Sequence, residues 1–466
     1  MAKTLAQDSI IEGSIWKGML RFFLPIMLGT LLQQLYNMAD TVIVSRFVGK
    51  EALAAVGGSS AIIIFLLVNF FVALASGASV VIAQHYGAGR FEMVRRGVQN
   101  AMVLALASGA LLTVVGVATA RPLLVLLRTT ADTMEYSVDY LHFYFLGMIP
   151  SMIYNMGSGI LRAMGDPKKP LMFLAVSMVL NIGLDLLFVV VFEMAVVGAA
   201  VATTIAQTVS AVLVLITLLR LPQDVRPDLR HPQINGEVMG RMLQIGLPSG
   251  FQSAMYNIAN MVLQTAVNSL GTDVLAGWSA YRKLDDIYWP ISNATGITVM
   301  TFVGQNYGAR KPDRVRRSIH TGLTLHIGTS LIFSAFTCLA RYPLISLFAE
   351  GEAAVIHAGV TFTLYTCLFY ATFSCTEVLA ATMRAVGNAV KPTIITLVFV
   401  CLLRVVYLWV YGLSHTSLLS ISVVFPVTWS ISSGVFLLYY NSGRWMPRLM
   451  RRQLAEDTVR QNLHRN

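Results

Sequence analysis

The sequence predicts an all-α integral membrane protein of twelve transmembrane helices, built as two parallel six-helix repeats. Three observations carry this: the composition, the number of apolar runs, and the recurrence of one half of the chain in the other. Of 466 residues, 56% are hydrophobic and only 12% charged, with a mean hydropathy of +0.66, far from the balance of a soluble domain. Apolar runs fall near 16–45, 53–83, 97–120, 136–161, 170–192 and 195–219, then near 242–269, 274–305, 318–340, 357–383, 392–412 and 418–440. At about 1.5 Å per residue each is long enough to cross roughly 30 Å of hydrocarbon.

The first run carries Pro25 and a polar stripe, unlike the short apolar core of a cleavable signal, so it is expected to stay as helix one. After the sixth run comes RLPQDVRPDLRHPQINGE, whose three prolines and alternating charges suit a solvated linker. The expected division is therefore a six-helix lobe over 1–219, a linker over 220–240, a second lobe over 241–441 and a basic tail over 442–466. A net charge of +11 reads as basic cytoplasmic loops and not as a nucleic-acid surface. With the N-terminus inside, that face collects Lys3, Lys17, Arg21, Arg90, Arg95, Arg96, Arg162, Lys168, Lys169, Arg220, Arg226, Arg230 and Arg241. From the second half it gathers Arg310, Lys311, Arg314, Arg316, Arg317, Arg384, Lys391, Arg444, Arg448, Arg451, Arg452, Arg460 and Arg465. Both termini are expected in the cytoplasm, the chain spanning the cell membrane many times.

The repeat is explicit. QHYGAGRFEMVRR at 84–96 matches QNYGARKPDRVRR at 305–317, and a similar offset pairs Pro25 with Pro248, Gly49 with Gly271, and RAMGDPKKP with RAVGNAVKP. Six spans are an even number, so each copy enters and leaves on one face and the repeat axis lies along the membrane normal. Two like lobes around a central cavity follow. The shared motifs sit where helices meet cytoplasmic loops, which favours structural work: Gly87 and Gly308 ending helices, and the arginines anchoring them.

With this repeat, the LQQLYNMAD stretch after Pro25 and the paired QxYGA and RAxG loops, the chain resembles the MATE (multidrug and toxic compound extrusion) family of transporters over nearly its whole length. The resemblance implies two six-helix lobes forming a V, and export of amphipathic, often cationic compounds in exchange for protons or sodium ions. The expected partners are thus a small amphipathic substrate, H+ or Na+ and the lipid bilayer. Neither an enzymatic activity nor a cofactor beyond the transported ion is expected, and the chain is expected to act as a monomer.

Asp40 is the only charged side chain between Arg21 and Arg46, and at the matching position after Pro248 stands Leu263, so the scaffold does not require an acid there. Gln33, Asn37 and Asp40 share one helix face. Asn181 and Asp185 in LNIGLDLLFVVV are four apart and face one way. Counted inward from charged boundaries, Asp40 lies roughly 9 Å, Asp185 roughly 12 Å and Thr203 roughly 15 Å deep, all in the outer half. Two carboxylates together in low dielectric bind a cation or hold protons, titrating as a coupled pair. The resemblance marks Asp40, Asn181, Asp185 and Thr203 as the first-lobe cation site. Asn155 either joins them or makes an interhelical hydrogen bond.

The seventh span carries no acid but a neutral stripe of Ser253, Asn257, Asn260, Gln264 and Asn268, suited to a wet cavity. In YRKLDDIYWP, Asp285 and Asp286 beside Tyr288 and Trp289 either line a substrate cavity, where acids and aromatic faces suit a cation, or form a charge cluster at the outer mouth. Glu377 and Arg404 either pair structurally or serve transport. Cys338, Cys367, Cys375 and Cys401 fall in apolar segments without a CxxC pair or histidines at metal spacing, and read as small core residues. The rival readings are a lipid-linked precursor flippase, which would want cavity-lining cations, and a membrane-embedded enzyme. No GxSxG, HExxH or paired haem histidines occur on the spans, and a two-lobe repeat with one-sided acids suits alternating access better than a channel. Orientation is tested by labelling: Asn235→Cys should resist an impermeant thiol reagent in intact cells and react once they are permeabilised, whereas labelling of intact cells would reverse the assignment.

Overall fold

The computed structural model describes residues 10–228, 233–349, 351–412 and 417–447. Lys3, Arg230, Arg448, Arg451, Arg452, Arg460 and Arg465, and with them most of the expected tail, lie outside the described residues. The described chain is helical throughout and forms no strand. In order, the helices are α1 (Ile15–Phe47), α2 (Lys50–Gly57), α3 (Ser59–Gly87), α4 (Phe91–Leu126), α5 (Ala131–Leu146), α6 (Met148–Ala163), α7 (Lys168–Asp185) and α8 (Ala195–Leu219). The second half follows with α9 (Gly236–Asn268), α10 (Thr272–Gly308), α11 (Pro312–Leu339), α12 (Arg341–Ser346), α13 (Ala353–Cys367), α14 (Ser374–Ala385), α15 (Val390–Thr396), α16 (Leu403–Tyr407), α17 (Leu418–Ser422) and α18 (Val424–Asn441).

Each of the twelve apolar runs corresponds to one helical segment, continuous or broken. Nine are apolar and long enough to cross a membrane among the described residues. The other three, over 131–163, 236–268 and 272–308, are diluted by the polar residues that make them interesting. The second, fourth and tenth spans are each interrupted, the second between α2 and α3. The fourth turns at Gly147, where a Cβ would stand 2.6 Å from Thr204 Oγ1; close approach to α8 excludes any larger residue. The tenth passes through a 3-10 turn, Tyr370–Phe373, and the fifth and eleventh loosen into π-helical segments at Leu186–Val191, Leu397–Leu402 and Leu408–Gly412.

The repeat recurs in backbone geometry. Gly49 and Gly271 have φ of 121° and 96°, Gly165 and Gly387 96° and 93°, and Gly89 and Arg310 67° and 56°. Helix ends close alike: Arg90 N donates to His85 O and Lys311 N to Asn306 O, both at 3.0 Å, while Asp166 N to Leu161 O and Asn388 N to Met383 O are both 2.9 Å. These six-to-one bonds over a left-handed residue satisfy the last carbonyls of each helix.

The chain divides into two compact units, Leu24–Gly250, and Met1–Phe23 with Phe251–Asn466. Both divisions fall inside long helices, beside Pro25 in α1 and Pro248 in α9. Within the first unit, α4 packs on α3, α5 and α6, and α8 on α5, α6 and α7. Within the second, α10 packs on α11, α13 and α14, and α14 on α18. The QxYGA loops and the helices after them anchor chain segments by hydrogen bonds. Gln99 Nε2 donates to Asp228 O at 3.0 Å and Asn235 N to Asn100 Oδ1 at 3.1 Å in the first unit. In the second, Arg314 donates to Asn306 Oδ1 (3.1 Å), Ile10 O (2.9 Å) and Gly13 O (2.8 Å).

Hydrogen bonds to a charged group contribute about 1.5–3 kcal/mol each, with losses less than additive. Arg314→Ala should therefore destabilise the purified protein by about 2–3 kcal/mol in thermal unfolding. Arg96→Ala, which removes only an exposed pair with Glu92 one turn away, should cost no more than about 0.5 kcal/mol.

Candidate functional site

Within the first unit, α1, α7 and α8 bring Asp40, Asn181, Asp185 and Thr203 together. Thr203 Oγ1 donates to Asp40 Oδ2 at 3.4 Å. The Asn181 amide is assigned with nitrogen toward the acids, because the opposite orientation sets its oxygen against acceptors. So placed, that nitrogen donates to Asp40 Oδ1 at 2.7 Å and Asp185 Oδ2 at 3.2 Å. Asn181 and Asp185 are both 0% exposed, whereas Asp40 and Thr203 are half-buried. Asp185 is the last residue of α7 before the π-helical segment, a kind of distortion that recurs at functional positions. Its Oδ1 is buried and no donor reaches it.

Neither carboxylate draws on a basic side chain. On the same helices, Ile43 and Val44 just after Asp40 and Val189 just after Asp185 belong to a buried apolar cluster with Val196 and Ala199, against which Tyr140 and Ile182 pack. As a scale, two full negative charges about 4 Å apart repel by about 4 kcal/mol at an effective dielectric near 20. One amide and one hydroxyl do not offset that repulsion; a single cation shared between the acids does, leaving one net negative charge, whether it is a proton or a small metal ion with a preference for oxygen. Among the described residues no group of three histidine, cysteine or acidic side chains could hold a resident metal.

Tyr36, Tyr140 and Tyr144 all lie within electrostatic reach of Asp40, and sequence reasoning missed them. Tyr36 precedes Asp40 by one helical turn and was open to discovery by spacing. Tyr140 and Tyr144, whose rings sit 5.8 Å apart, are on α5, which no pattern within α1 reveals. Gln33 and Asn37 share the face of Asp40 and bond to each other at 3.5 Å. Asn155 donates to Ser151 O of its own helix at 2.9 Å and makes no hydrogen bond to the acids.

In the second unit, Asp285 is 2% exposed and its carboxylate is enclosed by donors. Tyr281 and Tyr370 hydroxyls reach Oδ1 at 3.1 and 2.7 Å; Arg282 and Trp289 Nε1 reach Oδ2, both at 2.9 Å. Asp286 is half-exposed and 3.5 Å from Arg282. Tyr288 is fully buried, stacked on Tyr370 with centroids 3.7 Å apart and bonded to Ser330. Ser330 in turn meets His326, whose ring is held by Ser292, Ser330 and Ser374 at 2.9, 3.2 and 2.8 Å. This polar network fastens α10 to α11, the 3-10 turn and α14. Glu377 and Arg404 form no ion pair. Glu377 lies against Gly296, where a Cβ would clash with its carboxylate at 2.1 Å, and Arg404 donates to Asn260 at 2.8 Å. On the neutral stripe, Gln264 accepts from Trp278 at 2.8 Å and donates to Asn268 at 2.9 Å, and Asn257 is half-buried.

Two helical repeats with apolar spans and an acid cluster sunk among them define a multi-pass membrane protein of the two-repeat transporter class. A MatE family profile matches residues 25–187 and 248–410, one stretch per repeat. The chain belongs to the MatE family. Among its relatives is the "Probable multidrug resistance protein YoeA" of Bacillus subtilis (strain 168), 28% identical over 443 residues that cover 92% of this chain and 94% of that one. An "FAD transporter" of Shewanella oneidensis is 22% identical over 351 residues, covering 74% of this chain and 76% of that one. Among solved structures, one of MATE in the bent conformation superposes with a TM-score of 0.90 at 21% identity, covering 97% of this chain and all of that one. The fold is accordingly the all-helical, two-repeat MATE fold.

Removing one partner from a buried, hydrogen-bonded charge pair typically costs 3–5 kcal/mol. Asp285→Ala would strand three further donors, discounted by the partial exposure of Arg282. A loss of about 3 kcal/mol in thermal unfolding is expected, and a change below about 1 kcal/mol would show that the network does not hold the unit together.

Proposed function

We propose that the protein is a cation-coupled antiporter of the plasma or inner membrane that exports amphipathic compounds, cationic ones among them, by alternating access. Protons or sodium ions entering the cell drive the exchange, both termini lie in the cytoplasm, and one chain suffices. The observation that carries this reading is the Asp40–Asn181–Asp185–Thr203 cluster, with two acids, no basic neighbour and a buried Asp185 oxygen that no donor reaches. The relatives named as multidrug resistance and multidrug export proteins support the export of small molecules.

Coupling follows from linkage. A cation bound between the acids ties α1 to α7 and α8, and its loss leaves two like charges facing each other across that junction; a conformation that separates them is then favoured. Pro25 lies on the same helix and cannot donate a backbone hydrogen bond, so the carbonyl four residues earlier lacks its usual partner and the helix bends there at low cost. Ion binding thus biases a hinged helix, and the bias alternates access to the substrate.

The test is Asp40→Asn and Asp185→Asn, each reconstituted in proteoliposomes with ethidium as substrate and with sodium and proton gradients imposed separately. Both variants should fold and reach the membrane, while gradient-driven efflux falls at least tenfold. Full efflux in both, with unchanged gradient dependence, returns the acids to a structural role.

A further inference from the structure

Arg404 is a buried cation that forms no ion pair among the described residues, although the Asp285 carboxylate lies within electrostatic reach. It is 2% exposed, on the five-residue α16 between two π-helical segments. Its one hydrogen-bonded side-chain partner is neutral, Asn260 Oδ1 at 2.8 Å, and its guanidinium lies 4.7 Å from the ring centroid of Phe425. Nε is buried without an acceptor. Of the buried acids of the same unit, Asp285 is hydrogen-bonded by Arg282, Trp289, Tyr281 and Tyr370 and not by Arg404, and Glu377, packed against Gly296, makes no ion pair with it.

Structural economy does not explain such a residue. An arginine in hydrocarbon costs several kcal/mol even when it snorkels, and a buried ion pair is often no better than an apolar replacement; a buried cation facing an amide is worse than either. The fold does not ask for it, since the register of the RAxG loops puts Ile182 at the equivalent position of the first repeat. The helix is nevertheless distorted on both sides of Arg404, as α7 is distorted just after Asp185. Equivalent helices thus carry buried charges of opposite sign beside π-helical turns, one turn apart in register. Asn260, which holds the guanidinium, is itself exposed on the neutral stripe of α9, so the cation is reached through an accessible amide.

We infer that Arg404, presented by Asn260, recognises the anionic group, a carboxylate or a phosphate, of an amphipathic substrate. The inference rests on the export reading above and extends its substrate class from cations to compounds that also or only carry negative charge. The guanidinium supplies planar paired donors to such a group, and the half-buried Tyr256 nearby offers an aromatic face for its apolar part. Binding would satisfy Nε and neutralise the buried charge at once.

Fluorescein as carboxylate probe, riboflavin 5′-phosphate as phosphate probe and ethidium as cation probe are titrated by fluorescence anisotropy into the full-length protein in nanodiscs. The wild type should bind at least one anionic probe saturably, and whichever binds identifies the group. Arg404→Gln should lower the ratio of anion affinity to ethidium affinity at least tenfold, and Arg404→Lys, which keeps the charge but not the fork, by less. Should Arg404→Gln fail to fold, Asn260→Asp gives an independent reading: a carboxylate placed against the guanidinium should raise the melting temperature and displace the anionic probe. The proposal is overturned if the wild type binds neither anion, if Arg404→Gln weakens all probes alike, or if Asn260→Asp leaves anion binding intact. Failure of ethidium efflux in the wild type would count against coupled export and is separate from these binding results.

Discussion

Hydrocarbon offers no hydrogen bonds, and a polar group carried into it unpaired costs several kcal/mol. Much of this structure is arranged around that cost. Main-chain groups are consumed inside helices, and serine and threonine hydroxyls turn back onto their own helices, as Thr298 does on Ala294 O at 2.7 Å and Thr382 on Val378 O at 2.8 Å. Where a helix ends or breaks, a left-handed residue or a side chain collects the freed carbonyls. Ionisable groups that cannot be satisfied locally are gathered: Asp285 among four donors, His326 among three hydroxyls. Against that background, an acid pair without a basic partner and an arginine without an ion pair stand out among the described residues as places where the cost is not fully met.

The two repeats show how one scaffold carries unlike chemistry. Helix ends coincide down to the left-handed residues, and the QxYGA and RAxG loops close with matching bonds, so backbone and loop chemistry belong to the architecture. Interior polar residues do not recur. Asp40 corresponds to Leu263, Arg404 to Ile182, and His326 to Ala105, which is buried. A residue present in one copy and apolar in the other is not needed to build the fold, which leaves either a private structural network or function as its reason. The His326 hydroxyl cage is of the first kind, because its hydrogen bonds close upon themselves. Under the proposed function the acid pair is of the second, because its hydrogen bonds do not.

Much of this was legible in the sequence, for identifiable reasons. Twelve helices could be counted because membrane spans need long apolar runs, and the repeat could be read because its cytoplasmic loops use glycine and arginine for geometry that few other residues provide. Asp40 stood out as an uncompensated charge, and helical spacing put Asn181 on the face of Asp185. Spacing within a helix says nothing of what packs beside it, so Tyr140 and Tyr144 stayed hidden, as did the four donors around Asp285. The π-helical turns beside Asp185 and Arg404 also left no mark in LDLLFVVV or CLLRVVY, where the apolar pattern suits an α-helix equally well. Gly147, by contrast, offered a signal, but the close approach that requires glycine there is set by Thr204 on another helix.

Under the antiport reading, the choice of ion turns on one amide. With nitrogen toward the acids, Asn181 stabilises negative charge on both, and a proton entering the pair can be held by a carboxyl that donates to its neighbour while the amide stays as it is. A sodium ion needs oxygen ligands, and Asn181 supplies one only by turning its carbonyl inward, which gives up both bonds to the acids. That rotation takes place in a position with no exposed surface, where each broken hydrogen bond must be replaced by a contact with the ion. The same four residues therefore accommodate either ion, at different cost: the proton leaves the hydrogen-bond network in place, and sodium must rebuild it. Preference between them is set by what meets the amide nitrogen after it turns, and so by the side chains behind Asn181 as much as by the acids in front of it.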